Sequence, residues 1–555
     1  MGMSRRAFIR GFAAGGSAAV GLAALGIDVR PAAAGSAAAS PAGDVVGKIT
    51  VGYQGWFACA GDGAPINGWW HWSQNWSQAP SPSNNNIKAW PDMREYAKAY
   101  PTAYADLNGG GAATLFSSYD QQTVDTHFAW MKQYGCDTAA LQRFNPNGGE
   151  GATRDAMAQK VRSAAESNGV KFYIMYDVTG WTNMQSEIKT DWTNKMSAYT
   201  ASSAYARQNG KPVVCIWGFG FNDSNHPWSA SACLDVVNWF KGQGCYVIGG
   251  VPREWHVGGS GGRSGYDSVY LAMNMISPWM VGAIGSAADS DNAYTTYTVP
   301  DQAYCNAHGI DYQPCVLPGD VSVPQQRAHG DFMWRQFYNM VRAGVQGVYI
   351  SMFDEYGEGN QIAKTAENAA MVPSGSGLRA LDEDGTACSS DYYLRLTGDG
   401  GRMLKGQIGL TATRPTQPVV TGGTLKVISL RSRADDDYVT ADNAGTSPLI
   451  ANRTSIGPWE QFDMVDAGGG DIALRAHADN EYVCADNAGA SPLIANRTAI
   501  GQWETFRLIR NAGGTVSLFA LADNMYVTAE NAGASALIAN RTSIGQWEQF
   551  DLVVS

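Results

Sequence analysis

The stretch Gly347–Lys364, GVYISMFDEYGEGNQIAK, carries an apolar run from Val348 to Phe353 that breaks abruptly into acidic residues. Its β-branched and aromatic members predict a buried strand. Asp354, Glu355 and Glu358 then crowd into five residues at the carboxyl end of that strand. In a parallel barrel this end faces substrate. Two carboxyl groups held a few ångströms apart are the minimum equipment for cleaving a glycosidic bond. Taken alone, the same residues would also serve as an acidic loop that caps a helix or holds calcium. The surrounding chain decides between these readings.

Upstream, strand-like and helix-like segments alternate. Strands are predicted near residues 50, 140, 173, 215, 247, 279, 313 and 350. Helices are predicted at Arg154–Ser167, Trp192–Gln208 and Arg327–Arg342, each stopped by a glycine one or two residues on. Eight strand–helix units predict an α/β fold, a (β/α)8 TIM barrel. A doubly wound open sheet is the alternative. No GxGxxG or GxxxxGK(S/T) phosphate fingerprint follows any strand.

Downstream, residues 406–424 are rich in Gly, Thr and Pro and read as a linker. The remainder repeats with a period of 44, setting Trp459, Trp503 and Trp547 in step. The units begin YVTADNAG at Tyr438, YVCADNAG at Tyr482 and YVTAENAG at Tyr526. A fixed period of this size means a modular architecture. Three units of about four short strands predict an all-β domain over 425–555, a β-trefoil without free edges. The three tryptophans are expected in its core. Asp442, Asp486 and Glu530 recur in register, as do Arg453, Arg497 and Arg541. They either hold turns or form up to three shallow pockets that act through avidity.

Net charge is −11 and only 16% of residues are charged, which argues against nucleic acid and anionic membranes as main partners. The chain has 18 Trp, 25 Tyr and 17 Phe. That composition suits neutral ring-shaped ligands such as sugars, whose C–H faces pack on aromatic rings. The nine cysteines are scattered and show no zinc spacing. Cys233–Cys245 and Cys305–Cys315 are candidate disulfides. Residues 1–34 combine Ser4-Arg5-Arg6-Ala7-Phe8-Ile9-Arg10, an Ala/Gly/Leu-rich stretch and Pro31-Ala32-Ala33-Ala34. They read as a twin-arginine-type signal peptide, which predicts a secreted product.

GYQGWF at 52–57, PVVCIWGFGF at 212–221 and FDEYGEGNQI at 353–362 resemble the glycoside hydrolase family 71/99-like barrels, the clade of endo-α-mannosidases and α-1,3-glucanases. The resemblance covers about residues 47–405. Those endomannosidases end their last strand with Glu-x-x-Glu-Gly, here Glu355 to Gly359. The family typically has Trp-His between the glutamates; Tyr356-Gly357 stands there in this chain and marks a different sugar. The resemblance implies a retaining endo-α-glycosidase. Glu355 would act as a base on the sugar's own 2-hydroxyl, and Glu358 would protonate the departing oxygen and later activate water. Direct attack by a carboxylate nucleophile is the alternative.

Substrate-binding candidates at predicted strand ends are Tyr53, Trp56, Asp177, Trp217, Glu254 and Tyr356, each with an alternative role in packing. Glu254 is the rival acid. The repeats resemble the fascin-like modules attached to bacterial polysaccharide hydrolases. The expected protein is a secreted monomer acting on an α-linked polysaccharide or glycan, α-mannan or α-glucan, without cofactor or metal. Its rivals are a non-catalytic carbohydrate-binding protein and a hydrolase of an arabino- or xylo-type linkage.

Overall fold

The computed structural model describes residues 40–555, so the predicted signal segment 1–34 lies outside the described residues. Parallel strands form the first domain. They are β1 (Ile49–Tyr53), β2 (Thr138–Arg143), β3 (Lys171–Asp177), β4 (Lys211–Trp217), β5 (Tyr246–Pro252), β6 (Met275–Trp279), β7 (Asp311–Tyr312 with Cys315–Val316) and β8 (Val348–Ile350). They pair in chain order, and β8 pairs back onto β1. The two pieces of β7 close the ring: Asp311–Tyr312 pairs with β6 and Cys315–Val316 with β8. Pro314 sits between them and has no N–H for the ladder. Its carbonyl still accepts from Tyr349 N at 3.1 Å. The domain is a (β/α)8 barrel.

The surrounding helices are α1 (Gln121–Gln133), α2 (Gly151–Asn168), α3 (Met184–Asp191), α4 (Ala230–Gly242), α5 (Asp267–Ala272), α6 (Ala287–Ala293), α7 (Val299–His308), α8 (Asp331–Ala343) and α9 (Tyr392–Leu404). Left-handed glycines end three of them: Gly169 after α2, Gly309 after α7 and Gly344 after α8. The helix expected at Trp192–Gln208 is not continuous. After α3 the chain widens into a π turn at Trp192–Met196, tightens into a 3-10 turn at Ser197–Ala201 and leaves helix at Ser202. There the Ser202 hydroxyl accepts from Ala204 N at 3.1 Å, a local bond that competes with the helical ladder. Among the described residues no helix is long and apolar enough to cross a membrane.

The second domain has twelve strands. Six close a barrel: Thr424–Ser432, Phe462–Gly468, Asp471–Ala476, Phe506–Arg510, Val516–Ala520 and Phe550–Val554, the last pairing with the first. Three hairpins cap it, at 438–453, 482–497 and 525–541. This is a β-trefoil. Phe462, Phe506 and Phe550 fill its core in threefold register. Three backbone bonds of 2.8 Å join the repeats in a ring: Leu449 N to Leu493 O, Leu493 N to Leu537 O, Leu537 N to Leu449 O.

Two sequence expectations are corrected here. Trp459 and Trp503 are 37% exposed rather than core, and Trp547 is half-buried. The glutamate after each tryptophan takes the inner position, because its carboxylate satisfies a turn N–H. Glu460, Glu504 and Glu548 accept from Gly457, Gly501 and Gly545 at 2.7, 2.8 and 2.6 Å. All nine cysteines are free and buried, so Cys233–Cys245 and Cys305–Cys315 are not bonded. Cys233 packs into the core from α4, whereas Cys245 precedes β5.

A charged seam joins the domains. Arg94 pairs with Asp92 (2.7 Å), Glu367 (2.6 Å) and, from the trefoil, Asp466 (3.3 Å), all buried. In return Arg510 of the trefoil donates to the carbonyls of Met93 (2.8 Å) and Tyr96. A cavity of about 70 Å³ lies along this seam, lined by Trp90, Met93, Arg94, Met371, Arg507 and Arg510 among others.

Candidate active site

Alternate residues of each barrel strand face inward. Gln142 of β2, Met175 of β3 and Tyr349 of β8 meet near the axis. Tyr349 Oη accepts from Gln142 Nε2 at 3.2 Å and lies 3.5 Å from the sulfurs of Met175 and Met352. A Cβ on Gly52 of β1 would fall 2.2 Å from Tyr349 Oη, so only glycine leaves room there. Trp279 of β6 lies beside Tyr349 (6.4 Å between rings), and Trp217 of β4 beside Trp279 (5.4 Å). Asp177 shares the inward register of Met175 and ends β3 opposite Trp217. An aromatic and polar floor thus lies under the carboxyl face of the barrel.

The loop after β8 crosses this floor and is braced from several sides. Met352 N donates to Asn360 O (3.0 Å), and Asn360 Nδ2 donates to Ser351 O (2.7 Å). Arg327 Nη2 donates to the carbonyls of Gly359 and Gln361, both at 2.8 Å. Asp354 is wholly buried and accepts from the backbone N–H groups of Gln54 (2.7 Å) and Gly55 (2.8 Å). Burial pushes its carboxyl up to about 6; those two N–H groups and Arg154 pull the other way. Arg154, on α2, also donates to the carbonyls of Gln54 (2.6 Å) and Gly55 (3.0 Å). Asp354 therefore ties the end of β8 to the end of β1.

Glu355 is 2% exposed, and its Oε2 accepts from Gln54 Nε2 at 2.8 Å. Glu358, three residues on, is half-buried. Gly357 separates them closely: a Cβ there would sit 3.1 Å from Glu355 Oε1 and 3.5 Å from Asn86 O. One carboxyl is oriented by an amide donor and sheltered; the other is nearer solvent. Unequal environments are what divide a carboxyl pair into base and acid. Among the described residues no group of three His, Cys, Asp or Glu is arranged to hold a metal.

The other candidates separate. Tyr53 points away from the barrel axis toward α1: it is wholly buried, and its hydroxyl meets His127 Nδ1 at 3.0 Å. Tyr356 turns opposite to Glu355, into a buried cluster with Phe57, Trp72 and Phe116, and its hydroxyl donates to Lys364 O at 2.9 Å. Neither can touch a ligand without unpacking, which corrects both as substrate contacts. Glu254 is engaged by its own loop, accepting from Arg253 Nε (3.0 Å) and Gly261 N (3.1 Å). A Cβ at Gly259 would lie 2.6 Å from Glu254 Cγ, so the glycine-rich loop wraps that side chain.

Trp56 is half-buried and stacks between His71 (3.7 Å) and Phe144 (5.6 Å). Burial, reinforced by Arg154, holds the His71 imidazole well below its ordinary value and hence neutral. Asp177 and Trp217 remain in the mouth. Sequence reasoning passed over Gln54, Gln142 and Tyr349. Gln54 stood inside the GYQGWF segment, and Tyr349 could have been placed by counting alternate residues back from Ser351.

Fold and loop together define the class: a (β/α)8 barrel with a carboxyl pair at its carboxyl face, joined to a β-trefoil. No family model and no curated protein matches the chain. Among solved structures, the chain is similar to a glycoside hydrolase family 99 endo-α-mannosidase from Bacteroides thetaiotaomicron. The identity is 14%, over 65% of this chain and 98% of that one, with a TM-score of 0.47. A shorter stretch is similar to ThreeFoil, a designed threefold-symmetric protein (26% identity, 23% of this chain, 97% of that one, TM-score 0.22). Another is similar to an exo-β-1,3-galactanase from Clostridium thermocellum (13%, 26% of this chain, 33% of that one, TM-score 0.22).

Proposed function

We propose that the chain is a secreted retaining endo-α-glycosidase that cleaves an α-linked glycan, α-mannan or α-glucan, at the mouth of its barrel. The observation that carries this reading is the braced loop after β8, which presents Glu355 and Glu358 on either side of Gly357 with Gln54 fixing Glu355. On an α-mannoside, whose 2-hydroxyl stands trans to the leaving group, Glu355 takes that hydroxyl's proton as the oxygen attacks the anomeric carbon and returns it when water opens the epoxide; on an α-glucoside, whose 2-hydroxyl is cis to the leaving group, the Glu355 carboxylate attacks the anomeric carbon directly. Glu358 gives its proton to the departing oxygen, then takes one from the water that opens the intermediate. Two displacements at one carbon retain configuration. Trp217 and Trp279 offer faces for sugar rings.

The trefoil serves as a targeting module. Its three rim pairs, Asp442–Arg453, Asp486–Arg497 and Glu530–Arg541 (2.8, 2.7 and 3.0 Å), lie at matching repeat positions in units that also expose Trp459 and Trp503. Weak sites repeated on one module raise the local concentration of the barrel on a polymer.

The test is product detection on a panel of α-mannans and α-glucans by mass spectrometry, with the anomeric configuration of the first product followed by NMR. Glu358→Gln should lower turnover by about 10²–10⁴-fold, the worth of general acid–base help. Cleavage of nothing on the panel by the wild type refutes the enzyme reading and leaves carbohydrate binding alone.

A further inference from the structure

The cavity of about 70 Å³ between barrel and trefoil has an uneven lining. Its charged members are Asp92 and Arg94 from the barrel and Arg507 and Arg510 from the trefoil. Three of the four are committed. Both oxygens of Asp92 accept from Arg94, Oδ1 from Nε at 3.0 Å and Oδ2 from Nη2 at 2.7 Å. Burial would raise the Asp92 carboxyl, but Arg94 outweighs it and holds that carboxyl below its ordinary value. Arg94 is further paired with Glu367 and Asp466. Arg507 donates from Nε to Asp471 Oδ1 at 2.9 Å and from Nη1 to Gly109 O at 3.2 Å.

Arg510 is the exception. It is 8% exposed, and its side-chain bonds run from Nη2 alone, to the carbonyls of Met93 at 2.8 Å, Tyr96 and, at 3.5 Å, Arg94. Nε is buried without a partner, and Nη1 makes no hydrogen bond among the described residues. Burial pushes the guanidinium down to about 10, and Asp92, pulling the other way, does not offset it. A buried cation with spare N–H groups is stabilised by an acceptor that carries negative charge. The carboxylates around the cavity are already taken by Arg94 and Arg507, so that acceptor must come from outside the chain. Space is small: a water takes up about 10–15 Å³ of such volume, so the cavity holds about five groups of that size. Leu107, Met371 and Leu508 supply apolar walls, and the exposed Gly110 and Gly469 form a rim open to solvent.

We propose that this cavity is a binding site for a carboxylate, whose oxygens accept from Arg510 Nη1 while the short apolar body behind them lies against Leu107, Met371 and Leu508. A single negative charge matches the single uncommitted guanidinium. Phosphate would set extra charge against Asp92 and turn oxygen toward the apolar walls. The carboxylate belongs either to a free short-chain acid, which the cavity encloses, or to an acidic sugar whose ring stays outside the rim. Bound there, it touches both domains at once, Arg510 on one side and the barrel segment from Trp90 to Ala112 on the other. Occupancy therefore strengthens the docking of trefoil on barrel. The site is separate from the carboxyl pair after β8 and stands whether or not the chain is a glycosidase.

The test titrates the full chain at pH 7 and constant ionic strength with sodium propionate, sodium glucuronate and sodium phosphate in turn, read by calorimetry and by Tm. Propionate or glucuronate should saturate one site per chain and raise Tm with occupancy. Phosphate should bind more weakly than either. Arg510→Gln should weaken carboxylate binding about tenfold or more, the worth of a charge-assisted bond. Because Arg510 also holds the seam, a second variant leaves it in place: Ala112 lines the cavity and its N–H donates to Arg510 O at 2.8 Å, so Ala112→Leu should fill the space and abolish binding. Saturation by propionate assigns the site to a free acid, and saturation by glucuronate alone assigns it to an acidic sugar. Saturable binding of neither overturns the proposal, as does binding that survives unchanged in Ala112→Leu. Phosphate binding tighter than both carboxylates overturns the ligand class.

Discussion

Replacing Asp354 with asparagine should change how the stability of the barrel responds to pH. Asp354 is wholly buried, and its carboxyl is raised from 3.8 to about 6. The folded protein thus keeps a proton that the unfolded chain has already lost. Stability from this group is full below about pH 4 and falls as pH rises through about 6. The gap corresponds to about 3 kcal/mol. Asparagine does not titrate, and it offers one good acceptor to two N–H groups, those of Gln54 and Gly55.

At pH 4 the protonated carboxyl, like asparagine, offers one good acceptor, so Asp354→Asn should lie within about 1 kcal/mol of wild type. By pH 8 the variant should have gained about 3 kcal/mol on wild type, which loses that much as Asp354 ionises. Urea titrations at pH 4, 6 and 8 give the difference. Amide exchange on the peptide covering residues 49–57 tests whether it arises at β1. A difference that stays constant across that range would refute the raised carboxyl.

Gly357→Ala should lower kcat about tenfold with KM little changed, because the new methyl crowds Glu355 Oε1 from 3.1 Å and displaces the carboxylate; unaltered kcat would separate Glu355 from the chemistry. Arg94→Met strands Asp92 and Glu367, already buried, and should cost about 3–5 kcal/mol near neutral pH. Burial already raises the Glu367 carboxyl, so the loss in Tm should shrink as acidification protonates these groups; a pH-independent loss counts against the seam. Ala488, like Ala444 and Ala532, holds a left-handed backbone (φ 52°), so Ala488→Gly should stabilise the trefoil by about 1 kcal/mol, and an unchanged or lower Tm refutes this.

The barrel was legible because each strand is a short apolar run between helices, and alternation alone implies a parallel ring. Which side of a strand faces the axis was not. The burial of β1 is complete on both faces, so no polar–apolar alternation marks Tyr53 as outward and Gly52 as inward. The paired glutamates were visible because three acids follow an apolar run. The direction of Tyr356 was not legible, because adjacency to Glu355 says nothing about which way a side chain turns, and the residue points into the Phe57–Trp72–Phe116 cluster. The contact between Thr179 and His226 was invisible: the two stand 47 residues apart and meet only when β3 and β4 lie side by side. In the trefoil, period fixed the architecture, but tryptophan beside glutamate does not say which of the two turns inward.

The ring Leu449–Leu493–Leu537 makes the axis of the trefoil indifferent to which repeat is which, since each gives one bond and takes one. The sequence deepens this degeneracy: IANRTSIG occurs at both 450–457 and 538–545. Any one hairpin can seed the same assembly, and two chains can trade a repeat without losing a contact, so strand exchange is the misfolding hazard built into this module. What breaks the symmetry is the seam with the barrel. Among the described residues, the surface bearing Asp466, Arg507 and Arg510 meets residues 93–109. Of three rotational settings that are nearly alike to the trefoil itself, the barrel selects one.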